Sequence, residues 1–335
     1  MSIKSAHLQN FTVFENLEVE FSKGINVVIG TNGTGKTHLL KAMYGICEEV
    51  NNNSDVEGIS QPYFSVNPFE LIRFNENLNL KTFVELFFEE SKRASYNISE
   101  HEGKKSAADM LSYHFKVSDF KTKSIFIPAK EMLSHSNGFL ALYNKYKIPF
   151  DKTYIDIIVN AELPEARETS ELNEAMLETI SNVIGGKVLH ENGTFYIVKN
   201  NGNKIEFPIE AEGLRKFGLL WKLIKNGLLE EGTVLFWDEP EANINPELMP
   251  ILVELMLELE RKGVQLFIAT HSYNLAKYLE IKRTSIEQVL FHHLHQTEQG
   301  VKVESDHYFG QLDDNPIIEA DAKLLDEVIE GNFDD

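Results

Sequence analysis

One run of residues carries the clearest chemistry in this chain: Gly30-Thr31-Asn32-Gly33-Thr34-Gly35-Lys36-Thr37. It fits G-x-x-x-x-G-K-[ST] throughout, the spacing of a loop that cradles phosphate. Glycines let the backbone close around an anion and aim its N–H groups inward. A helix opening near Gly35 adds unpaired N–H groups and the positive end of its dipole. Lys36 has the reach for the β- and γ-phosphates, and the Thr37 hydroxyl suits a Mg²⁺ ligand. ATP and Mg²⁺ are the expected cofactors.

Two further segments complete a candidate site. Thr233-Val234-Leu235-Phe236-Trp237-Asp238-Glu239 is an apolar strand ending in two acids. Asp238 stands where a carboxylate can hold the Mg²⁺ shell, and Glu239 where one can face an attacking water as general base. Ala269-Thr270-His271-Ser272 follows the next apolar strand, so His271 falls at a strand's C-terminal end, where open α/β sheets place ligands. The bland readings are an acidic strand-to-loop turn and a structural histidine. A complete phosphate loop upstream outweighs both. The expected catalytic residues are Glu239, His271 and Lys36; the expected metal ligands are Thr37 and Asp238.

The elements that must position these residues are legible around them. Residues 3–9, 15–21 and 24–29 read as strands, and Leu39, Leu40, Met43 and Cys47 predict a helix over 37–48. Residues 49–120 begin with the polar run Asn51-Asn52-Asn53-Ser54 and contain the amphipathic piece Phe83–Phe88; they read as a mostly helical insertion, with Phe83, Phe87 and Phe88 as core. Ser124–Pro128 reads as a strand ended by proline. Leu172, Met176, Ile180 and Ile184 mark one face of a helix that stops at Gly185-Gly186. Strands follow near 187–191, 194–199 and 204–208, with Asn-Gly turns between them. From 211 onward helix and strand alternate, which implies a parallel sheet. Strands at about 287–293 and 301–307 and a helix at about 315–330 end the series.

The 335 residues allow one large domain or two ordinary ones at roughly 150 residues each. Apolar residues make up 42% and charged residues 25%, an ordinary globular composition. The net charge of −20 repels phosphate backbones, so DNA is a possible but disfavoured partner. From Glu304 onward acids dominate and Lys323 is the one Lys or Arg. That stretch reads as a solvated acidic tail, or alternatively as a docking surface for a basic partner. Cys47 is the only cysteine, which excludes an internal disulfide and points to a reducing cytoplasm. No secretory signal and no membrane span is expected.

The set GTNGTGKT after a β-meander, then LFWDEPEANINP, then LFIATHS, resembles the ABC-type ATPases of the SMC-like and RecF-like branch. Within that branch it is most similar to stand-alone prokaryotic ATPases of the overcoming-lysogenization-defect type and related phage-defence ATPases. The likeness covers residues 1–48 and about 187–280. It implies an α/β fold, with an antiparallel β-meander, a central mostly parallel sheet, a head formed by 1–48 and 187–335, and a mainly helical insertion at 49–186. It implies that Gly30–Thr37 are Walker A, Asp238 and Glu239 are Walker B and the catalytic glutamate, Asn243–Pro246 are the D-loop, and His271 is the switch histidine. Ala211-Glu212-Gly213-Leu214-Arg215-Lys216 takes the signature position but departs from LSGGQ, since Glu212 replaces the serine. Gly213 and Arg215, or Lys216, are the candidates for contacting nucleotide across a dimer; an ordinary helix start is the alternative. A Q-loop glutamine is not evident; Gln61 and the Pro128–Glu131 segment are the candidates. The 64 residues after His271 are expected to be too few for a Toprim nuclease. The resemblance therefore implies a head-to-tail homodimer that hydrolyses ATP and acts on a separately encoded effector, a nuclease or toxin, in antiphage defence. The alternative is a RecF-like repair ATPase that binds DNA.

Overall fold

The computed structural model describes residues 1–52, 59–73, 82–100, 107–114, 122–146, 148–168 and 170–331. Its centre is a six-stranded sheet in the order β14-β13-β3-β12-β11-β7. These strands are β3 (Ile25–Ile29), β7 (Lys123–Ile127), β11 (Thr233–Asp238), β12 (Gln265–Thr270), β13 (Val289–Thr297) and β14 (Gly300–Asp306). All pairings are parallel except β13 with β14. Every residue of β3, β11 and β12 is buried. That is why they read as continuous apolar runs rather than alternating ones: both faces of the sheet are covered.

The two faces lead to two cores. Ile25, Val27, Ile29, Leu235 and Trp237 join one cluster with α3 (Lys152–Glu162), α4 (Glu171–Ile184), α5 (Glu212–Lys225) and α6 (Met249–Arg261). Val28, Phe236 and Phe267 join the other with α1 (Lys36–Asn52) and an N-terminal antiparallel sheet. Leu39, Leu40, Met43 and Cys47, the predicted face of α1, are all buried there.

The N-terminal sheet has the order β2-β1-β4-β5-β6, formed by β1 (Ile3–Phe11), β2 (Phe14–Glu20), β4 (Thr82–Phe88), β5 (Arg93–Glu100) and β6 (Ala107–Tyr113). Here the structure differs from the expectation of a mostly helical 49–186. The described part of that stretch holds α2 (Phe139–Tyr146), α3 and α4, but also β4–β6, and β7 joins the central sheet. In β4, Thr82, Val84, Leu86 and Phe88 are buried and the residues between them less so, a period of two. Phe88 is therefore in the core as expected, while Phe83 and Phe87 lie on the other face; Phe83 meets the His7 ring edge-on at 4.9 Å.

A third, small sheet of β8 (Gly186–Glu191), β9 (Thr194–Lys199) and β10 (Lys204–Glu206) packs against α4 and α5. The strand expected at 204–208 is shorter, because Pro208 lies in a 3-10 turn at Phe207–Ile209. The chain closes with α7 (Tyr273–Lys282) and α8 (Pro316–Gly331), in which no residue is buried. Among the described residues no helix is long and apolar enough to cross a membrane.

Candidate functional site

β3 delivers the loop Gly30–Gly35 to the edge of the sheet, and α1 begins at Lys36. Gly35 has φ +87°, and a Cβ there would lie 2.5 Å from Val13 Cγ2 in the β1–β2 turn. Only glycine satisfies both constraints, so the phosphate loop is held from behind by the N-terminal sheet. Gly30 and Gly33 lie in the same loop, Thr34 Oγ1 donates to Thr31 O at 2.8 Å, and Thr31, Asn32 and Gly33 are exposed at its mouth. Lys36 is buried and its Nζ donates to Gly30 O at 2.7 Å and Thr31 O at 2.9 Å. Burial pulls the Lys36 pKa below its ordinary value, opposed by Glu239, Asp238 and Glu241.

Thr37 Oγ1 donates to Asp238, 3.0 Å from Oδ1 and 3.1 Å from Oδ2. The hydroxyl and the carboxylate thus converge at the foot of the loop. Asp238 is 8% exposed, and burial pushes its carboxyl up to about 6, with Glu239 adding to the rise and the Thr37 hydrogen bond, Lys41 and Lys36 opposing it. A carboxylate raised in this way gains from a cation beside it. One carboxylate and one hydroxyl, with the rest of the shell left to phosphate and water, is a donor set that suits Mg²⁺.

Glu239 and His271 meet at the exposed side of the site, Oε1 to Nδ1 at 3.3 Å. Glu239 has φ +45°, a backbone conformation costing on the order of 1–3 kcal/mol for a non-glycine residue. The surroundings fix it from both ends. Its N–H donates to Ala269 O at 2.9 Å, and its carbonyl accepts from Lys216 Nζ at 3.2 Å. Lys216 is buried, and burial lowers its pKa while Glu212, Glu241, Glu239 and Glu131 push it back.

Gly213 and Arg215 are placed elsewhere, on the first turn of α5. A Cβ at Gly213 would lie 2.8 Å from Asn243 O, so the glycine allows α5 to touch the Asn243–Pro246 loop of its own chain. Asn243 Nδ2 donates to Glu212 Oε1 at 2.9 Å across the same junction. Arg215 Nε faces the buried Glu131 Oε2 at 3.2 Å, in ion-pair range but without hydrogen-bond geometry, and its guanidinium also donates to Phe207 O at 3.2 Å. The charge of Arg215 is thus engaged inside its own lobe. Glu131 follows β7, the strand beside β11, and accepts from Leu133 N–H and Ser134 N–H. Of the two Q-loop candidates, this segment is therefore the one next to the acidic strand. Gln61 lies in the short helical turn Ser60–Phe64, and its side chain is outside the described residues.

Glu241 was not among the residues singled out by motif. Its Oε1 accepts from Thr270 Oγ1 at 2.5 Å, and it is close enough to Lys36 and Lys216 to influence both. The available signal was a third acid in Asp238-Glu239-Pro240-Glu241, one residue beyond a proline that bends the chain back. Lys41, which pairs with the α3 cap Asp151, was also missed, since nothing local links them.

The sheet order, with β12 between the phosphate-loop strand and the acidic strand, defines a P-loop ATPase head. The chain belongs to the family described as "AAA domain, putative AbiEii toxin, Type IV TA system", whose profile matches residues 25–277, more than half of the chain. It is similar to the DNA replication and repair protein RecF of Clostridium kluyveri, 34% identical over 91 residues that make up 25% of each chain. RecF of Exiguobacterium sp. is 50% identical over 44 residues, 13% of this chain and 12% of that one. The chain thus spans a quarter or less of the length of these relatives. Among solved structures, the SMC head domain of Thermotoga maritima superposes with TM-score 0.51 at 16% identity, covering 91% of this chain and 99% of that one. The Pyrococcus furiosus Smc head bound to the C-terminal domain of ScpA gives TM-score 0.56 at 12% identity, covering 97% and 99%. These likenesses place the fold with the SMC/RecF-like ABC ATPases.

Proposed function

We propose that this chain binds ATP with Mg²⁺ and hydrolyses it, and that hydrolysis resets a head-to-tail dimer controlling a separately encoded partner. The observation that carries the reading is the Thr37–Asp238 contact, which joins positions 201 residues apart at the foot of the phosphate loop. Gly30–Thr37 hold the phosphates, Lys36 balances their charge, and Thr37 and Asp238 hold the metal. Mg²⁺ bound there neutralises charge developing on the phosphate oxygens. Glu239 orients and deprotonates the attacking water, and His271, in contact with Glu239, fixes that carboxylate and the water.

The dimer follows from the resemblance to paired ATPase heads. Nucleotide bound by one chain would meet the Gly213–Lys216 turn of the other, so ATP would stabilise association by linkage. Because Arg215 pairs with Glu131, Gly213 and the first-turn N–H groups of α5 are the better-placed donors. The head, 1–48 with 187–335 and completed by strands β4–β7, would carry the chemistry, and the rest of 49–186 would transmit it. A separately encoded effector such as a nuclease or toxin, acting in antiphage defence in the cytoplasm, is the partner that the resemblance to phage-defence ATPases implies by analogy.

The test compares wild type with Glu239→Gln. Wild type should turn over ATP, the variant should lose on the order of 100-fold or more in kcat, and only the variant should persist as an ATP-dependent dimer in size-exclusion chromatography with light scattering. Equal turnover in the two proteins would defeat the hydrolase reading. A mass unaffected by ATP in the variant would defeat the dimer. The RecF relatives support a second reading, DNA binding, against which the −20 charge weighs. Binding to duplex DNA that weakens steeply with salt would favour it.

A further inference from the structure

Glu241 stands in the tight turn that follows Asp238, the last residue of β11, and Glu239. Ala242 N–H donates to Glu239 O at 3.1 Å and Ile244 N–H to Glu241 O at 3.1 Å, so the turn is closed on itself and the Glu241 side chain is aimed back toward β12. There it meets Thr270, which is fully buried. Thr270 Oγ1 donates to Glu241 Oε1 at 2.5 Å and accepts from Ser272 N–H at 2.9 Å. A hydroxyl has one proton, so a carboxylate that takes it leaves the oxygen lone pairs free for the amide. The acceptor Glu241 thereby sets which way Thr270 points, and the Thr270–Ser272 bond sets the turn on which His271 sits. Ser272 then caps α7 by accepting from Leu275 N–H at 3.2 Å. Glu241 Oε2 is also buried, with no hydrogen-bond partner among the described residues. A buried carboxylate oxygen so placed is costly, and the cost is tolerated where neighbours depend on the carboxyl.

We propose that Glu241 is a positioning residue of this site: through Thr270 it holds the 270–272 turn so that His271 Nδ1 stays against Glu239. The proposal rests on the reading of the site as an ATPase. It assigns to the second glutamate of Asp238-Glu239-Pro240-Glu241 a task distinct from that of the first. Glu239 is the residue assigned to the water, and Glu241 acts through Thr270 and His271. Burial raises its carboxyl, and the Thr270 hydrogen bond opposes the rise most, followed by the residue's own backbone N–H and the nearby His271.

The experiment has a kinetic arm and an arm that needs no turnover. Glu241→Ala should lower kcat about tenfold, the order of one lost charge-assisted hydrogen bond, with the KM for ATP within about twofold. Thr270→Val, which removes the donor and keeps the shape, should reproduce it. Glu241→Gln should recover most of the rate, since its amide oxygen still accepts from Thr270. In a His271→Ala background Glu241→Ala should cost nothing further. Independently, amide exchange of residues 268–273 should quicken in Glu241→Ala and Thr270→Val and stay as in wild type in Glu241→Gln. An equal kcat loss with and without His271 overturns the proposal, as does unchanged exchange in the two disruptive variants. If wild type shows no turnover, the hydrolase reading fails by itself and the exchange arm alone decides for or against Glu241.

Discussion

Replacing Asp238 by asparagine should stabilise the metal-free protein while removing its response to Mg·ATP. Asp238→Asn keeps the shape, and the amide oxygen it introduces still accepts from Thr37, but it removes a carboxylate that burial pushes from 3.8 up to about 6. Because the folded-state value lies above the unfolded one, the folded protein holds the proton more tightly. Stability from this group is therefore highest below pH 4 and falls as pH rises through the window from 3.8 to about 6. At pH 5 the unfolded carboxyl is mostly ionised and the folded one mostly not, a penalty of about 1–2 kcal/mol; at pH 8 it reaches about 3 kcal/mol, from roughly 1.4 kcal/mol per pH unit. For a chain of this length about 1 kcal/mol corresponds to 1–2 °C. The Asp238→Asn protein should thus melt about 2 °C above wild type at pH 5 and about 4 °C above it at pH 8, without Mg²⁺. Adding Mg·ATP should raise the melting temperature of wild type only. Scanning fluorimetry across pH, with chelator and with Mg·ATP, measures both. A variant less stable than wild type at pH 8 in chelator, or a gap that narrows as pH rises, would refute the reasoning.

Other outcomes follow from single contacts. Gly213→Ala forces a methyl to 2.8 Å from Asn243 O, so α5 and the Asn243–Pro246 loop must part; a loss of about 1–3 kcal/mol in thermal stability, with faster amide exchange over 239–246, is expected. The Cys47 thiol is fully buried and burial raises its pKa well above the ordinary value, so a thiol reagent at pH 8 should label the native protein far more slowly than the urea-unfolded chain. His292 is buried between Ser305 and Asn26, and burial lowers it from 6.5 to about 3. Its folded-state value is depressed, so the unfolded chain gains the proton first, and wild type should lose about 2 kcal/mol between pH 7.5 and 5. In His292→Gln that part of the pH dependence should vanish from the melting curves.

The phosphate loop, the acidic strand and the switch strand were legible because each is a short local pattern. A nearly all-apolar strand followed by glycines and a lysine has few other meanings. β4 was harder: Thr82–Phe88 is short and rich in phenylalanine, and its alternation of buried Val84 and Leu86 with half-buried Phe83 and Phe87 emerges only once the strand pairs with β1. Contacts between distant positions left no local trace. Arg215 is a candidate for contacting nucleotide across a dimer, but its ion pair with Glu131 in its own chain had no sequence signal, since no spacing rule joins those two residues. Gly213 was singled out for its glycine character, but its closest neighbour is Asn243 of the same chain. Glu241 was visible as an acid, but its partner Thr270 becomes its neighbour only when β11 and β12 lie side by side.

The position of β3 between β12 and β13 has a consequence for how the molecule comes into being. Val28 is registered against Ala269 on one side and His292 on the other, and Ile3 N–H is satisfied by the side chain of Gln265. At roughly 5–20 residues per second, a ribosome that has made the phosphate loop needs on the order of 10–50 s more before either flanking strand leaves the exit tunnel. During that interval the most apolar strand of the nascent chain has no lasting partner, and nonlocal pairing of this kind is slow. Newly made copies should depend on chaperones, and nucleotide binding should arise late, once β12 and β13 have closed on β3.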